Sequence, residues 1–295
     1  MGKYSTRDIV VTAVSSKGTK EYKNLHFDIK IQKTLSGVPN SSELVVFNLN
    51  QESREFLSSI YDGDGKSKIT MTISLDDKKI FTGDMVNVSH VYMADSADWV
   101  TSIFLSEGWN AYQAVLKKEI AKGSTREKAF DVMVDSLKDF GVDGKLIEGL
   151  KSGCGKKSLA KRLFVSGNVM ENLKKLINDC MPENDLSIEN GQVKAIAKNA
   201  VLEKIETVTD FLEPPTLNDT GLSAMVQLND NFTIGGKIKI KAKSTVSAFG
   251  NLTTNRVQKS RVSGEGTYKV IEVSHAFDNY TDKLATTEVN GVYIA

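Results

Sequence analysis

The chain has 295 residues, with 38 Lys+Arg against 37 Asp+Glu, a formal charge of +1 and only 7% aromatic residues. Near-cancelled charge beside 40% hydrophobic residues excludes intrinsic disorder, which needs low hydrophobicity with a large charge imbalance. The same balance leaves no basic surplus for counterion release, so no specific nucleic-acid partner is expected.

The length suggests about two domains. Cys154 and Cys180 are too few for a disulfide framework or an unaided zinc site, and His26, His90 and His275 share no ligand spacing. No cofactor or metal is therefore expected. The start lacks an apolar run long enough for a signal peptide, and no segment approaches the roughly 18 apolar residues of a membrane helix. The expected origin is a reducing cytoplasm, with no membrane partner.

In chain order, the first third alternates. Ile9, Val11 and Ala13, then Leu25, Phe27, Ile29 and Ile31, stand between polar neighbours, the period of a half-buried strand. A turn over 34–40 leads to a strand at 43–48, and Phe56, Leu57 and Ile60 mark a short helix over 51–61. Residues 62–66 form a loop, and strands follow over 67–75, 79–91 and 98–107, with Asp76-Asp77 as a tight hairpin turn. Short strands at regular spacing predict a barrel or sandwich.

The middle changes character. Apolar spacing predicts a helix over 109–120. A second helix opens near Ser124, with Phe130, Met133, Val134, Leu137 and Phe140 on one face and Gly141 closing it. Residues 144–162 read as a loop. A third helix, 169–180, follows Gly167 and ends at Pro182. The last third returns to β, with a hairpin around Asn190-Gly191 and strands over 223–228, 237–242, 267–277 and 283–293. Residues 244–266 form a long polar loop.

Enzymatic motifs fail on inspection. Gly149 to Ser158 lacks the first glycine and the Ser/Thr of a phosphate loop. Asp62 to Lys66 opens like a calcium loop, yet Lys66 and Ile73 stand where oxygen ligands belong. Cys154 has Lys156 and Lys157 nearby to favour a thiolate but no partner base. His275, in an alternating strand, reads as a hydrogen-bonded strand residue. No catalytic residue is assigned.

Phe27 to Asn40, with its Lys33-Thr34 and Pro39-Asn40, followed by Glu43 to Asn48-Leu49, resembles the opening of phage tail baseplate hub proteins of the T4 type. The closing segment is similar too: Gly266-Thr-Tyr268, then His275 and Asp278, then a second strand through Val289. Gly167 before its helix, the hairpin over 188–192 and Gly221 fit the same order. Two departures stand out: Phe277 occupies the place before Asp278 where the family often has Gly, and the 244–266 loop is longer than a tight barrel needs.

The resemblance implies an α+β, mainly β fold with two tube-like β-barrels and a helical insertion. The boundaries are 1–108, 109–215 with its small hairpin, and 216–295, with strands from 185–210 available to complete the last barrel. It implies a homotrimer whose six barrels form a pseudo-sixfold ring in the virion tail baseplate. That ring would join the tail tube or its initiator to the central spike, with the tape-measure protein in its lumen. The particle would be a phage tail or phage-tail-like bacteriocin, of contractile type, made in the host bacterial cytoplasm. Pro39 and Asn40 would be turn residues; His275 and Asp278 would organise the end of the penultimate strand. The competing expectation is a hub-like protein that also hydrolyses peptidoglycan; a sugar-binding module is disfavoured by having only Trp99 and Trp109 for stacking. In a ring, balanced charges should be sorted by face.

Overall fold

A computed structural model describes residues 8–35, 38–61, 68–142, 153–182, 184–189, 191–197, 205–218, 221–242, 246–247, 265–280 and 285–294. The fold is mainly β, and most strands belong to one 14-stranded sheet.

The N-terminal lobe holds β1 (Ile9–Ser15), β2 (Gly18–Tyr22), β3 (Phe27–Thr34), β4 (Ser41–Phe47), β5 (Thr70–Leu75), β6 (Lys78–Met93) and β7 (Asp98–Ser106), in the order β3-β4-β7-β6-β5-β1-β2. All its pairs are antiparallel. The alternation read from the sequence is the burial pattern observed: Phe27, Ile29 and Ile31 point inward beside Leu44, Val46, Ile103 and Leu105. Asp76 and Asp77 take φ of 49° and 63°, the left-handed pair that a two-residue hairpin needs. Helix α1 (Gln51–Ser58), capped by Asn50, buries Leu57 in this core. The calcium-like stretch 62–66 lies outside the described residues.

The middle differs from its helical expectation. Helix α2 is one turn, Trp109–Tyr112, and the chain then becomes β8 (Val115–Ile120), which pairs with β9 (Leu163–Asn168). The apolar spacing was real, but Val115 is 74% exposed. The backbone partner of this segment lies more than forty residues on, beyond the reach of local periodicity. Helix α3 (Arg126–Asp135) is shorter than expected and continues as a 3-10 turn that ends on Gly141. Of the expected 144–162 loop, 144–152 lies outside the described residues; a 3-10 turn occupies Gly153–Lys156. Helix α4 (Val169–Cys180) matches its expected range, and β10 (Asn184–Glu189) and β11 (Gln192–Ala197) form the expected hairpin. Phe130, Met133, Val134, Leu173, Ile177 and Ile188 share one core.

The closing lobe contains β12 (Ile205–Val208), β13 (Thr216–Asn218), β14 (Gly221–Gln227), β15 (Lys237–Ile240), β16 (Val246–Ser247), β17 (Gly266–Asp278) and β18 (Thr286–Tyr293). β12–β15 and β13–β16 are parallel pairs. Apart from Val246, Ser247, Glu265 and Gly266, the long 244–266 loop lies outside the described residues.

Strand β17 decides the architecture. Its first residues pair with β15, most of its length with β18, and Glu272 to Asp278 with β3 of the first lobe. Two separate closed barrels were expected. Among the described residues neither lobe closes, because the sheet path ends at β2 and at β16 and runs unbroken through β17. A strand of 13 residues outruns one lobe, so its two ends satisfy their backbone groups in different ones. Side chains cross as well: Phe277 and Leu228 enter the N-terminal core, while Leu35 packs on the closing one.

Candidate functional site

The seam where β17 meets β3 gathers several residues that the sequence had left far apart. At its end, Asp278 Oδ1 lies 3.1 Å from His26 Nε2 and accepts the Tyr280 amide at 2.8 Å. The His26 ring stacks on Phe47 at 4.1 Å between centroids and on Tyr280 at 4.8 Å. Asn279 completes the clamp: its Oδ1 accepts from Phe27 N at 2.8 Å and its Nδ2 donates to Leu25 O at 2.8 Å. Sequence reasoning found Asp278 but missed His26, Asn279 and Tyr280. The available signal was His26, on the outward side of the alternation just before β3, opposite an acid only pairing could supply.

His275 is buried on the inner side of the same strand. Thr287 Oγ1 donates to Asn229 O, so its 2.9 Å contact with His275 Nδ1 is a bond donated by the imidazole. Burial pushes the His275 pKa down to about 4, Lys33 pushes the same way, and Asp230 opposes. Lys78 in turn holds Asp230 at 2.6 Å, linking β6 to the closing lobe. The imidazole is a neutral structural donor here.

The remaining motif residues are dispersed. Pro39 and Asn40 stand immediately before β4. Asn40 is buried: its Oδ1 accepts Thr34 N at 3.1 Å, and its Nδ2 donates to the buried Glu107 at 2.7 Å. Asn48, at φ 56°, accepts from Trp99 N and donates to Asp98, which fixes the β6–β7 tip against the corner after β4. Leu49 sits in the N-terminal core. Gly167, φ 87°, turns the chain into α4. Gly221 permits the closest approach: a Cβ there would lie 2.0 Å from Gly291 O. Gly266 begins β17, and buried Tyr268 packs edge-on against Tyr293 at 5.5 Å.

Register and alternation define the face of the sheet turned away from the cores. Over β14, β18, β17, β3, β4 and β7 it presents Ser223, Met225, Asn290, Glu288, Glu272, Ser274, Asp278, Asp28, Gln32, Glu43 and Ser102. Among the described residues of these strands, the alternation puts two cations on that face, Lys30 and Lys269, against six carboxylates, the sixth being Asp98 at the start of β7. Gln32 and Asn290 donate to Glu272, and Ser223 donates to Glu288, so neutral donors brace this acidic strip across both lobes. At one edge the β6–β7 tip exposes Val91, Tyr92 and Met93, beside Trp99 under the Arg54 guanidinium at 4.0 Å. No group of three or more potential metal ligands occurs among the described residues.

No known family profile matches the chain, and no curated protein is significantly similar to it. Solved structures are. The 43 kDa tail protein of prophage MuSo2 from Shewanella oneidensis superposes with a TM-score of 0.61 at 9% identity, covering 97% of each chain. The tail protein from Neisseria meningitidis MC58 gives 0.58 at 8% identity over 96% of both chains. The E. coli c3393 protein gives 0.56 at 8% identity, over 96% of this chain and 77% of its own. It is a type VI secretion component described as structurally similar to the T4 bacteriophage tail proteins gp27 and gp5. At such identities the likeness concerns the fold, and across nearly its whole length this chain has the fold of these phage tail proteins.

Proposed function

We propose that this chain is a structural baseplate hub protein of a phage tail or phage-tail-like particle. Three copies form a pseudo-sixfold ring that joins the tail tube, or its initiator, to the central spike. The observation that carries this reading is the continuous sheet through β17, which gives one chain two β lobes and a single uninterrupted outer face. Two lobes per chain turn three copies into six ring positions. The carboxylate-rich strip on that face suits a lumen through which the tape-measure protein passes, with charges of mainly one sign sorted onto the lumen wall.

The division into 1–108, 109–215 and 216–295 belongs to the proposal, with the insert on the outside of the ring. The exposed tip of Val91, Tyr92 and Met93 is then covered by a neighbouring baseplate protein. Pro39, Asn40, Asn48, Gly221, His275 and Asp278 act as folding residues of the ring subunit. No enzymatic step is assigned to the chain, and the finished product resides in the virion tail.

Light scattering on the purified full chain, followed by cryo-electron microscopy with tube and spike proteins, tests the reading. The expected result is a three-subunit mass and a ring with the acidic strip inward. A persistent monomer that binds neither partner overturns it.

A further inference from the structure

The two cysteines stand 26 positions apart in sequence, yet they meet in the insert. Cys154 lies in the 3-10 turn Gly153–Lys156, and Cys180 is the last residue of α4. Cys154 Sγ is 3.8 Å from the carbonyl oxygen of Asp179, the residue just before Cys180, which brings the two thiols to the same end of α4. Both are free and half-buried. The cation beside them is neither Lys156 nor Lys157 but Arg126, at the start of α3, whose Nη1 donates to Cys154 Sγ at 3.2 Å. That contact orients Cys154 and sets a permanent positive charge against its sulfur, the partner a thiolate nucleophile uses.

We infer that Cys154 and Cys180 are a thiol pair that closes to a reversible intramolecular disulfide, with Cys154 as the sulfur that reacts first and Cys180 as the resolving thiol. The co-reactant is a low-molecular-weight disulfide. The Cys154 thiolate attacks one of its sulfurs, breaking that S–S bond and expelling one small thiolate. Cys180, losing its proton, then attacks Cys154 Sγ and expels the second. Two protein thiols are oxidised, one small disulfide is reduced to two thiols, and the two protons pass to the released thiolates. Closing the pair to about 2.05 Å needs side-chain rotation at two half-buried positions.

The order of events has a physical basis. Burial pushes the Cys180 pKa up to about 12, and the neighbouring Cys154 adds to this, while Arg126 opposes. Cys180 is therefore the slower nucleophile at neutral pH. In a reducing compartment the pair stays open; outside one it closes. The bridge would tie the turn at 153–156 to the end of α4 and so brace the insert against α3.

The test uses the native full chain incubated with oxidised glutathione, read by free-thiol titration, intact mass and peptide mapping. The expected outcome is loss of both thiols with an intact mass lower by about 2 Da, reversed by a dithiol reductant. Cys180→Ser should instead accumulate a glutathione adduct on Cys154, and Arg126→Gln should slow the first step several-fold. Two thiols that stay free, a stable adduct on the unsubstituted chain, or a bridge between chains would each overturn the inference.

Discussion

The two β lobes share a sheet but are held together differently. In the N-terminal lobe, neighbours in sequence are mostly neighbours in space: β1–β2, β3–β4, β5–β6 and β6–β7 are antiparallel pairs of consecutive strands. Its core is a broad set of aliphatic and aromatic side chains, from Ile9 to Leu105. The closing lobe depends on distant and parallel pairings and on backbone approach at Gly221 and Gly291. One lobe is specified by side-chain volume and the other by where the backbone is allowed to go. The first is therefore vulnerable to cavities and the second to added atoms.

The largest expected effect lies where the two designs meet. Phe277 belongs to β17 yet fills the N-terminal core, at 5% exposure. Phe277→Ala should cost about 3–5 kcal/mol, as buried Phe truncations do. If the shared strand couples the lobes, urea denaturation followed by two probes, one in each lobe, should still give coincident transitions. Separate transitions in the unsubstituted chain would break the comparison, because the lobes would then be independent units.

Next comes Gly221→Ala. The added methyl would stand 2.0 Å from Gly291 O, and its backbone φ of 152° disfavours an L side chain. Neither strand can yield without leaving the ladder, so a loss of about 3 kcal/mol is expected, read as a fall in melting temperature. Gly18→Ala is the control in the other lobe: its φ is 129° but nothing lies within 4 Å of the new atom. It should cost about 1 kcal/mol, from backbone strain alone.

This difference in construction also explains what could be read in advance. Phe27, Ile29 and Ile31 announced β3 because a half-buried strand writes its period into the residues themselves. Asp76-Asp77 announced its hairpin for a similarly local reason. β8 and β9 wrote no such period: Val115 and Phe164 are exposed, and the strands exist because each is the other's partner. The short strands β12, β13 and β16 were missed on the same account. In the seam, Asp278 stood in a recognisable pattern, whereas His26 and Asn279 gain their roles only when residues some 250 positions apart are paired. The cysteine pair was hidden likewise, since its spacing carries no motif and Arg126 lies in another element.

His275 sharpens the comparison through pH. Its pKa is depressed from 6.5 to about 4 in the folded chain, chiefly by burial, with Lys33 adding and Asp230 opposing. The unfolded chain therefore binds this proton first. The neutral group costs nothing above pH about 6.5; stability is lost as pH falls from there toward 4, by at most about 3 kcal/mol. His275→Asn, which retains a donor toward Thr287, should flatten that limb by about 2 kcal/mol between pH 7 and 4.5. An identical pH dependence in both proteins would mean that the imidazole is solvated, and the closing lobe less tightly packed than described.

The smallest effects compare two helix caps. Asn50 Oδ1 accepts from Ser53 N at 2.8 Å at the start of α1, and replacing it by Ala should cost about 1 kcal/mol. Asn168 does the same for α4, accepting from Glu171 N at 2.9 Å, but its Nδ2 also donates to Tyr112 O, tying the helix to α2. Its loss leaves a half-buried carbonyl without that donor, so Asn168→Ala should cost about 2 kcal/mol. Aspartate separates the two contributions. Asn50→Asp keeps the only bond that matters there and should be neutral within about 0.5 kcal/mol. Asn168→Asp keeps the cap, loses the donor and sets a carboxylate against the Tyr112 carbonyl, so most of the alanine loss should remain. Equal behaviour of the two aspartates in thermal melts would show that α4 is capped as an ordinary surface helix and that its tie to α2 contributes nothing. Helix α4 would then be held in place chiefly by the hydrophobic core of the insert.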